Sequence, residues 1–336
     1  MTAITWERGQ WRRLVVGLFA IGMFTVAGVF ASIWLGPSVF NYAADVVDPG
    51  RYGGTFVNQN EAGIACTIIA LFGLVSLGEV KRKWPVILGL VACFVAIILT
   101  FSRGAMLTYL IVMGTSYAAT SGRFNWRFIA GIVGAGALVS LAAQSDITWA
   151  TWLSPDQQGR VSNVVSLVTT GDLDAAGGGD RRWLAQLGFQ EWMESPLLGN
   201  GLGTQRDLRA AGTGSHNQYL LLLGDSGLLP ALIYCAVLVA TFLAAARSRR
   251  GSVRIFLAGF AALILILGFH NHNILENRLC NFGFGIAFGL CGIRWQRPEE
   301  RSVPARPLSR TRLEKTRRCQ GLGAKDDADA PATRNV

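Results

Sequence analysis

The feature that most constrains this chain is a recurrence of long apolar runs separated by short polar links. Candidate spans lie at 14–36, 62–79, 84–101, 104–120 and 127–144, then at 227–246, 253–270 and 275–293. A helix crossing the hydrocarbon core of a bilayer needs about 20 mostly apolar residues. Only 15% of the 336 residues are charged, against roughly 25% in an ordinary soluble domain. Such a chain cannot build the solvated skin of a cytosolic enzyme, and it is too apolar to be disordered. The expected fold class is an all-α polytopic membrane protein with about eight transmembrane helices and one large loop, 145–226, between spans five and six. The first run is longer than the apolar core of a signal peptide, and no small-residue cleavage site follows it.

The net charge of +10 has two possible sources, a nucleic-acid surface or an asymmetric membrane topology, and its location decides between them. Arg8, Arg12 and Arg13 precede the first run, and Lys81, Arg82 and Lys83 separate the second from the third. Arg123 and Arg127 separate the fourth from the fifth, while Arg247, Arg249, Arg250 and Arg254 separate the sixth from the seventh. Arg294, Arg297 and Arg301 follow the eighth. With eight spans all five clusters fall on one side, which the positive-inside rule makes cytoplasmic. The other side receives 37–61, the tight link around Arg103, the loop 145–226 and residues 270–274. The expected organisation is a membrane domain over 1–293 and a disordered basic cytoplasmic tail over 294–336. The tail carries eleven Lys and Arg against six Asp and Glu and is expected beside anionic headgroups. No nucleic-acid-binding motif accompanies the charge.

The six cysteines, Cys66, Cys93, Cys235, Cys280, Cys291 and Cys319, show no CxxC spacing. They indicate neither a zinc site nor a redox pair and read as small buried hydrophobes, apart from Cys319 in the tail. The histidines are His216, His270 and His272; the last two lack carboxylates or thiolates at ligand spacing, so no metal is expected. Gly199-Asn200-Gly201-Leu202-Gly203 lacks the preceding strand, the full GxGxxG pattern and the Lys-Ser/Thr of a phosphate loop. It reads as a turn-forming glycine cluster.

Polar residues beside membrane spans are expensive, and they gather on the outer side. Arg103 sits in Thr100-Phe101-Ser102-Arg103-Gly104-Ala105 between two apolar runs. It reads either as an interfacial arginine snorkelling to water or as a functional cation, and the positive-inside bias disfavours the first on this side. The large loop adds Asp180-Arg181-Arg182-Trp183, then Ser195 through Thr204, then Ser215-His216-Asn217-Gln218-Tyr219-Leu220. Residues 183–194 are expected to form an amphipathic helix at the membrane surface, with Trp183, Leu184, Leu187, Phe189 and Trp192 at the interface. Arginines suited to phosphate and one histidine suited to accept a proton thus share a face.

This combination resembles the O-antigen ligase/polymerase family of membrane glycosyltransferases. The matching pieces are Arg51 through Asn60, Ser102-Arg103-Gly104-Ala105, Arg181 fifteen residues before Pro196, the turn from Pro196 to Gly203, and His216 through Leu220. They run in order over about 50–245. The resemblance implies a metal-independent, inverting transfer of glycan from an undecaprenyl-diphosphate-linked donor to another glycan or to lipid A–core, in O-antigen or exopolysaccharide synthesis. It implies a bacterial inner-membrane protein with a periplasmic site, no cofactor, and contact with polysaccharide-assembly partners. Arg103 and Arg181 would grip the diphosphate and His216 would take the acceptor proton. Arg51, Arg182, Arg206 and Asn217 are implied as further substrate contacts. Two features depart from the family. About four amino-terminal spans found in many members have no counterpart, so the chain is either a short member or starts downstream of its true beginning. The position four after Arg181, often aromatic, is Ala185. A transporter of lipid-linked oligosaccharide is the competing expectation; it calls for charges inside the spans, where this chain has little beyond Asp225 and Arg278 at their edges.

Overall fold

A computed structural model describes residues 8–36, 52–56, 58–121, 158, 179–206, 208, 214–271 and 273–292. Every described residue belongs to one compact unit, Trp6–Ile293. The expected span 127–144, the clusters at Arg123, Arg127 and 294–301, Arg51, His272, Cys319 and the tail lie outside the described residues.

Among the described residues all regular structure is helical. In chain order the helices are α1 (Arg8–Leu35), α2 (Gln59–Leu77), α3 (Trp84–Leu99), α4 (Arg103–Ser121), α5 (Gly179–Glu194), α6 (Gln218–Ser226), α7 (Leu228–Arg247), α8 (Gly251–Leu267) and α9 (Arg278–Gly292). The expected apolar runs other than 127–144 coincide with α1–α4 and α7–α9, with ends shifted by a few residues. Helices α1, α2 and α7 are long and apolar enough to cross a membrane, whereas α3, α8 and α9 are apolar but shorter. The surface helix expected over 183–194 begins earlier, at Gly179.

The sequence explains which helices sit inside. A helix that is apolar on every face belongs in the middle of a bundle. Helix α8 is such a helix, buried from Val253 to Ile264 almost without interruption except at Arg254, and α2 is buried from Ala62 to Gly73. Small residues bring these two and α4 close together: a Cβ on Gly259 would lie 2.5 Å from Leu71 Cδ1 and against the Ser116 hydroxyl. Aromatic rings join the layers. Phe256 stacks on Phe72 at 5.6 Å and on Phe260 at 5.7 Å, and Trp11 meets it edge-on at 6.1 Å. The outer helices turn large apolar side chains outward instead: Ile87, Leu88, Val91 and Phe94 on α3, and Leu229, Leu232, Ile233 and Val239 on α7. Apolar surface of this extent belongs against lipid or protein rather than water. Cysteines follow the same division. Cys66, Cys93 and Cys280 are buried as expected, but Cys235 and Cys291 lie exposed on α7 and α9, because those helices border the bundle.

The two ends of the bundle differ in chemistry. At one end Arg250 donates to Glu79 Oε1 at 3.0 Å, Ser252 Oγ donates to the same oxygen at 2.6 Å, and Trp11 Nε1 donates to Ser252 Oγ at 3.2 Å. This network joins the start of α1, the end of α2 and the start of α8, so three of the basic-flanked segments share one end. At the opposite end the Gly54 backbone (φ +58°) packs on Gly28 and Val29 of α1 so closely that a Cβ would lie 2.7 Å from Val29 N. There too the Tyr52 N–H donates to Leu99 O at 3.3 Å.

Candidate functional site

This second end gathers helix starts. Asn58 Oδ1 accepts the Asn60 N–H at 2.8 Å and caps α2. Ser102 Oγ accepts the Ala105 N–H at 3.3 Å at the start of α4. Asn217 Oδ1 accepts from Tyr219 and Leu220 at 2.9 and 3.1 Å and caps α6. Asn277 Oδ1 accepts from Leu279 and Cys280 at 3.0 and 3.1 Å and caps α9. Short polar side chains at these positions are good N-caps. The positive ends of the helix dipoles accordingly face the same side, a setting that favours an anion.

Arg103 is the first residue of α4 and is half-buried. The link before it is a tight reversal. Thr100 Oγ1 donates to Ile97 O at 2.7 Å and accepts the Ser102 N–H at 3.3 Å, and Phe101 adopts φ +48°. His216, just before the α6 cap, also adopts φ +48°. Among the described residues these two are the non-glycine positions in the left-handed region, and such conformations recur where function demands a fixed geometry.

The segment around His216 is anchored on the end of α8. The Gln218 N–H donates to Gly268 O at 2.8 Å, and the Gln218 Oε1 accepts the Ile274 N–H at 3.1 Å. Tyr219 OH donates to Leu265 O at 2.9 Å, with its ring 4.9 Å from that of Phe269. Burial first, and the neighbouring Cys235 second, push the Tyr219 phenol up to about 12, so it stays a neutral donor. Two residues past Gly268, the His270 ring lies against Gly104, the neighbour of Arg103; a Cβ there would be 2.7 Å from Cδ2 and 2.8 Å from Nε2. The structure thus joins the His216 segment to the Arg103 turn through residues 268–274.

The glycine cluster is the turn the sequence calls for: Gly199, Gly201 and Gly203 adopt φ of +73°, +104° and +91°. It is held by Asp225, buried at the end of α6, whose carboxylate accepts from Gly203 at 2.9 Å and Gln205 at 2.8 Å. Arg206 at the end of the turn forms an ion pair with Glu276 in the link before α9.

Of the residues singled out in the sequence, Arg103, His216 and Asn217 lie at this end. Asn217, expected at the substrate, commits its side-chain oxygen to the α6 cap. Arg206, expected as a substrate cation, is already paired with a carboxylate. Arg181 and Arg182 lie in the first turn of α5, and Arg182 is exposed beside Gln186 and Phe189 in an open surface groove. Sequence reasoning weighed His270 only as a metal ligand, quoted Gln218 only as part of the His216 motif, and placed Asp225 only at a span edge. An acid in the apolar stretch after His216 was the available signal for Asp225; His270 carried none, because its partner Gly104 is 166 positions away. Among the described residues no group of three or more His, Cys, Asp or Glu comes together.

The fold and this end together define a helical membrane protein with an anion-favouring polar face. Residues 88–235 match the family model described as O-Antigen ligase. That match agrees with the resemblance carried by the motifs of the chain. The matched stretch holds Arg103, Arg181, Arg182, Arg206, His216 and Asn217 and leaves His270 outside it. The match is consistent with a glycosyltransferase-type membrane enzyme. No curated protein matches the chain. Among solved structures, a chain from work on structural coordination of polymerization and crosslinking by a peptidoglycan synthase complex aligns at a TM-score of 0.42 and 14% identity. That alignment covers 85% of this chain and 90% of the other.

Proposed function

We propose that the protein is a multi-pass glycosyltransferase of the bacterial inner membrane, with about eight spans and a periplasmic site formed with the loop 145–226. It transfers or polymerises glycan from an undecaprenyl-diphosphate-linked donor, onto another glycan or onto lipid A–core, in O-antigen or exopolysaccharide synthesis. The observation that supports this most is the meeting of the Arg103 turn and the His216 segment at the end where helix N-termini gather. In the reaction, an acceptor hydroxyl oxygen attacks the anomeric carbon of the donor sugar. Its proton passes to neutral His216, whose imidazole suits that transfer near neutral pH. The bond from that carbon to the diphosphate oxygen breaks, and the configuration inverts. Negative charge grows on the departing diphosphate, where the guanidinium forks of Arg103 and Arg181 bind phosphate oxygens, with Arg51 and Arg182 as further contacts. The arginines supply the counter-charge, so the reading requires no metal.

The test is to incubate the purified protein with an undecaprenyl-diphosphate oligosaccharide. Growth of the glycan without lipid A identifies a polymerase, and product formed only with lipid A–core identifies a ligase. Unchanged oligosaccharide that crosses a vesicle membrane would overturn the enzyme and leave a transporter.

A further inference from the structure

The three histidines of this chain divide between the segment before α6 and the link before α9, and only His216 has a part in the reaction proposed above. His270 stands where two halves of the site meet. On one side its ring covers Gly104, so closely that any side chain at 104 would overlap it. Thr108, one turn along α4, gives its single hydroxyl proton to Gly104 O at 2.7 Å. Its oxygen is left to accept, so the 3.5 Å contact with His270 Nε2 is a loose bond with Nε2–H as donor. On the other side, the backbone carrying His270 is fixed to the His216 segment through Gly268 O and the Ile274 N–H, both bonded to Gln218. Gly268, His270 and Ile274 therefore tie the Arg103 turn to the His216 segment.

We infer that His270 is a positioning residue that locks the Arg103 turn to the His216 segment, so that diphosphate binding at Arg103 and proton removal at His216 are coupled through residues 268–274. The inference rests on the proposed reading of those two residues. It assigns His270 no proton transfer; the ring acts by filling the space above Gly104 and by donating from Nε2. Two residues packed together and sharing a partner should show non-additive substitutions. Independent positions should not.

The test uses the full-length protein in nanodiscs with undecaprenyl diphosphate as a binding probe, so that it does not depend on turnover, alongside glycan transfer from the linked oligosaccharide. His270→Ala should weaken binding of undecaprenyl diphosphate about tenfold and lower kcat by a further factor, with little change in melting temperature. Gly104→Ala should do the same, and the double variant should be no worse than the poorer single one. His270→Gln, which keeps an N–H donor at similar reach, should restore binding to within about twofold of wild type. If His270→Ala binds the probe as wild type does, or if its effect adds fully to that of Gly104→Ala, the lock is overturned. A His270→Gln variant that folds but binds as poorly as His270→Ala overturns the donor role. Wild-type protein that binds the probe yet transfers no glycan would defeat the glycosyltransferase reading while leaving the lock measurable.

Discussion

The Asp225 carboxylate accepts the backbone N–H of Gly203 at 2.9 Å, twenty-two residues away, and so pins the glycine-rich turn to the end of α6. Its other oxygen accepts from Gln205 at 2.8 Å, and the Asp225 carbonyl accepts the Gly201 N–H at 3.2 Å. The turn could not close on itself in this way with side chains at 199 and 203, whose backbones lie in the left-handed region. Asp225 thus converts a flexible glycine segment into a fixed wall beside the His216 segment.

Loss of that carboxylate should be felt locally. Hydrogen bonds to a charged partner contribute about 1.5–3 kcal/mol each, and Asp225→Ala removes two, from half-buried Gly203 and buried Gln205. It should expose 199–206 to limited proteolysis and lower the melting temperature in detergent. Asp225→Asn keeps one accepting oxygen and should lose about half as much. An Asp225→Ala protein as protease-resistant as wild type would contradict the clamp.

His216→Ala and Arg103→Ala should each abolish glycan transfer while the protein still inserts into membranes. Losing a general base typically lowers a rate about 10²–10⁴-fold, and losing a donor that stabilises growing charge lowers it about 10²–10³-fold. Arg103→Lys should recover little, since one ammonium cannot reproduce a planar fork on phosphate oxygens. Product formation from radiolabelled lipid-linked oligosaccharide measures this, and a wild-type rate in either alanine variant defeats the assignment.

Glu79 ties the opposite end together, and its side chain is only 6% exposed. Glu79→Ala would remove the acceptor shared by Arg250 and the Ser252 hydroxyl. Breaking a buried pair by deleting one partner costs about 3–5 kcal/mol, and with Arg250 19% exposed the lower end applies. Glu79→Gln still accepts from both donors and should cost less. Thermal unfolding in a fixed detergent compares the two; equal melting temperatures for wild type and Glu79→Ala would remove this network from the stability of the fold.

The fold was largely legible because apolar runs of membrane length admit few alternatives to helices. What the runs could not show is which helices lie inside. Ile87 on α3 and Ile255 on α8 look alike in sequence, yet one is half exposed and the other buried, because burial depends on neighbours that arrive from distant segments. A local motif was enough to single out Arg103 and His216 as candidates. Contacts made with distant partners were not legible: the His270 ring packs on Gly104, and Arg206 pairs with Glu276. Asn217 shows a third limit. It was expected as a substrate contact, and in the structure its side-chain oxygen caps α6.

Two neighbouring residues of α7 separate a membrane bundle from a water-soluble one. Leu238 is 4% exposed and packs inward, while Val239 is 57% exposed and points away from the protein. In water an arginine at 239 would be welcome, since surface substitutions there rarely shift stability by more than about 0.5 kcal/mol. In hydrocarbon the same arginine near a helix centre costs about 2.5–3.5 kcal/mol on insertion scales. Val239→Arg should therefore reduce the membrane-integrated fraction several-fold, measured by carbonate extraction of membranes from expressing cells. Leu238→Ala acts by another route: it opens a cavity against neighbouring helices, a loss of about 2–5 kcal/mol in packed cores, and should lower the melting temperature without changing integration. Val239→Arg protein that integrates as fully as wild type would show that this face of α7 does not meet lipid.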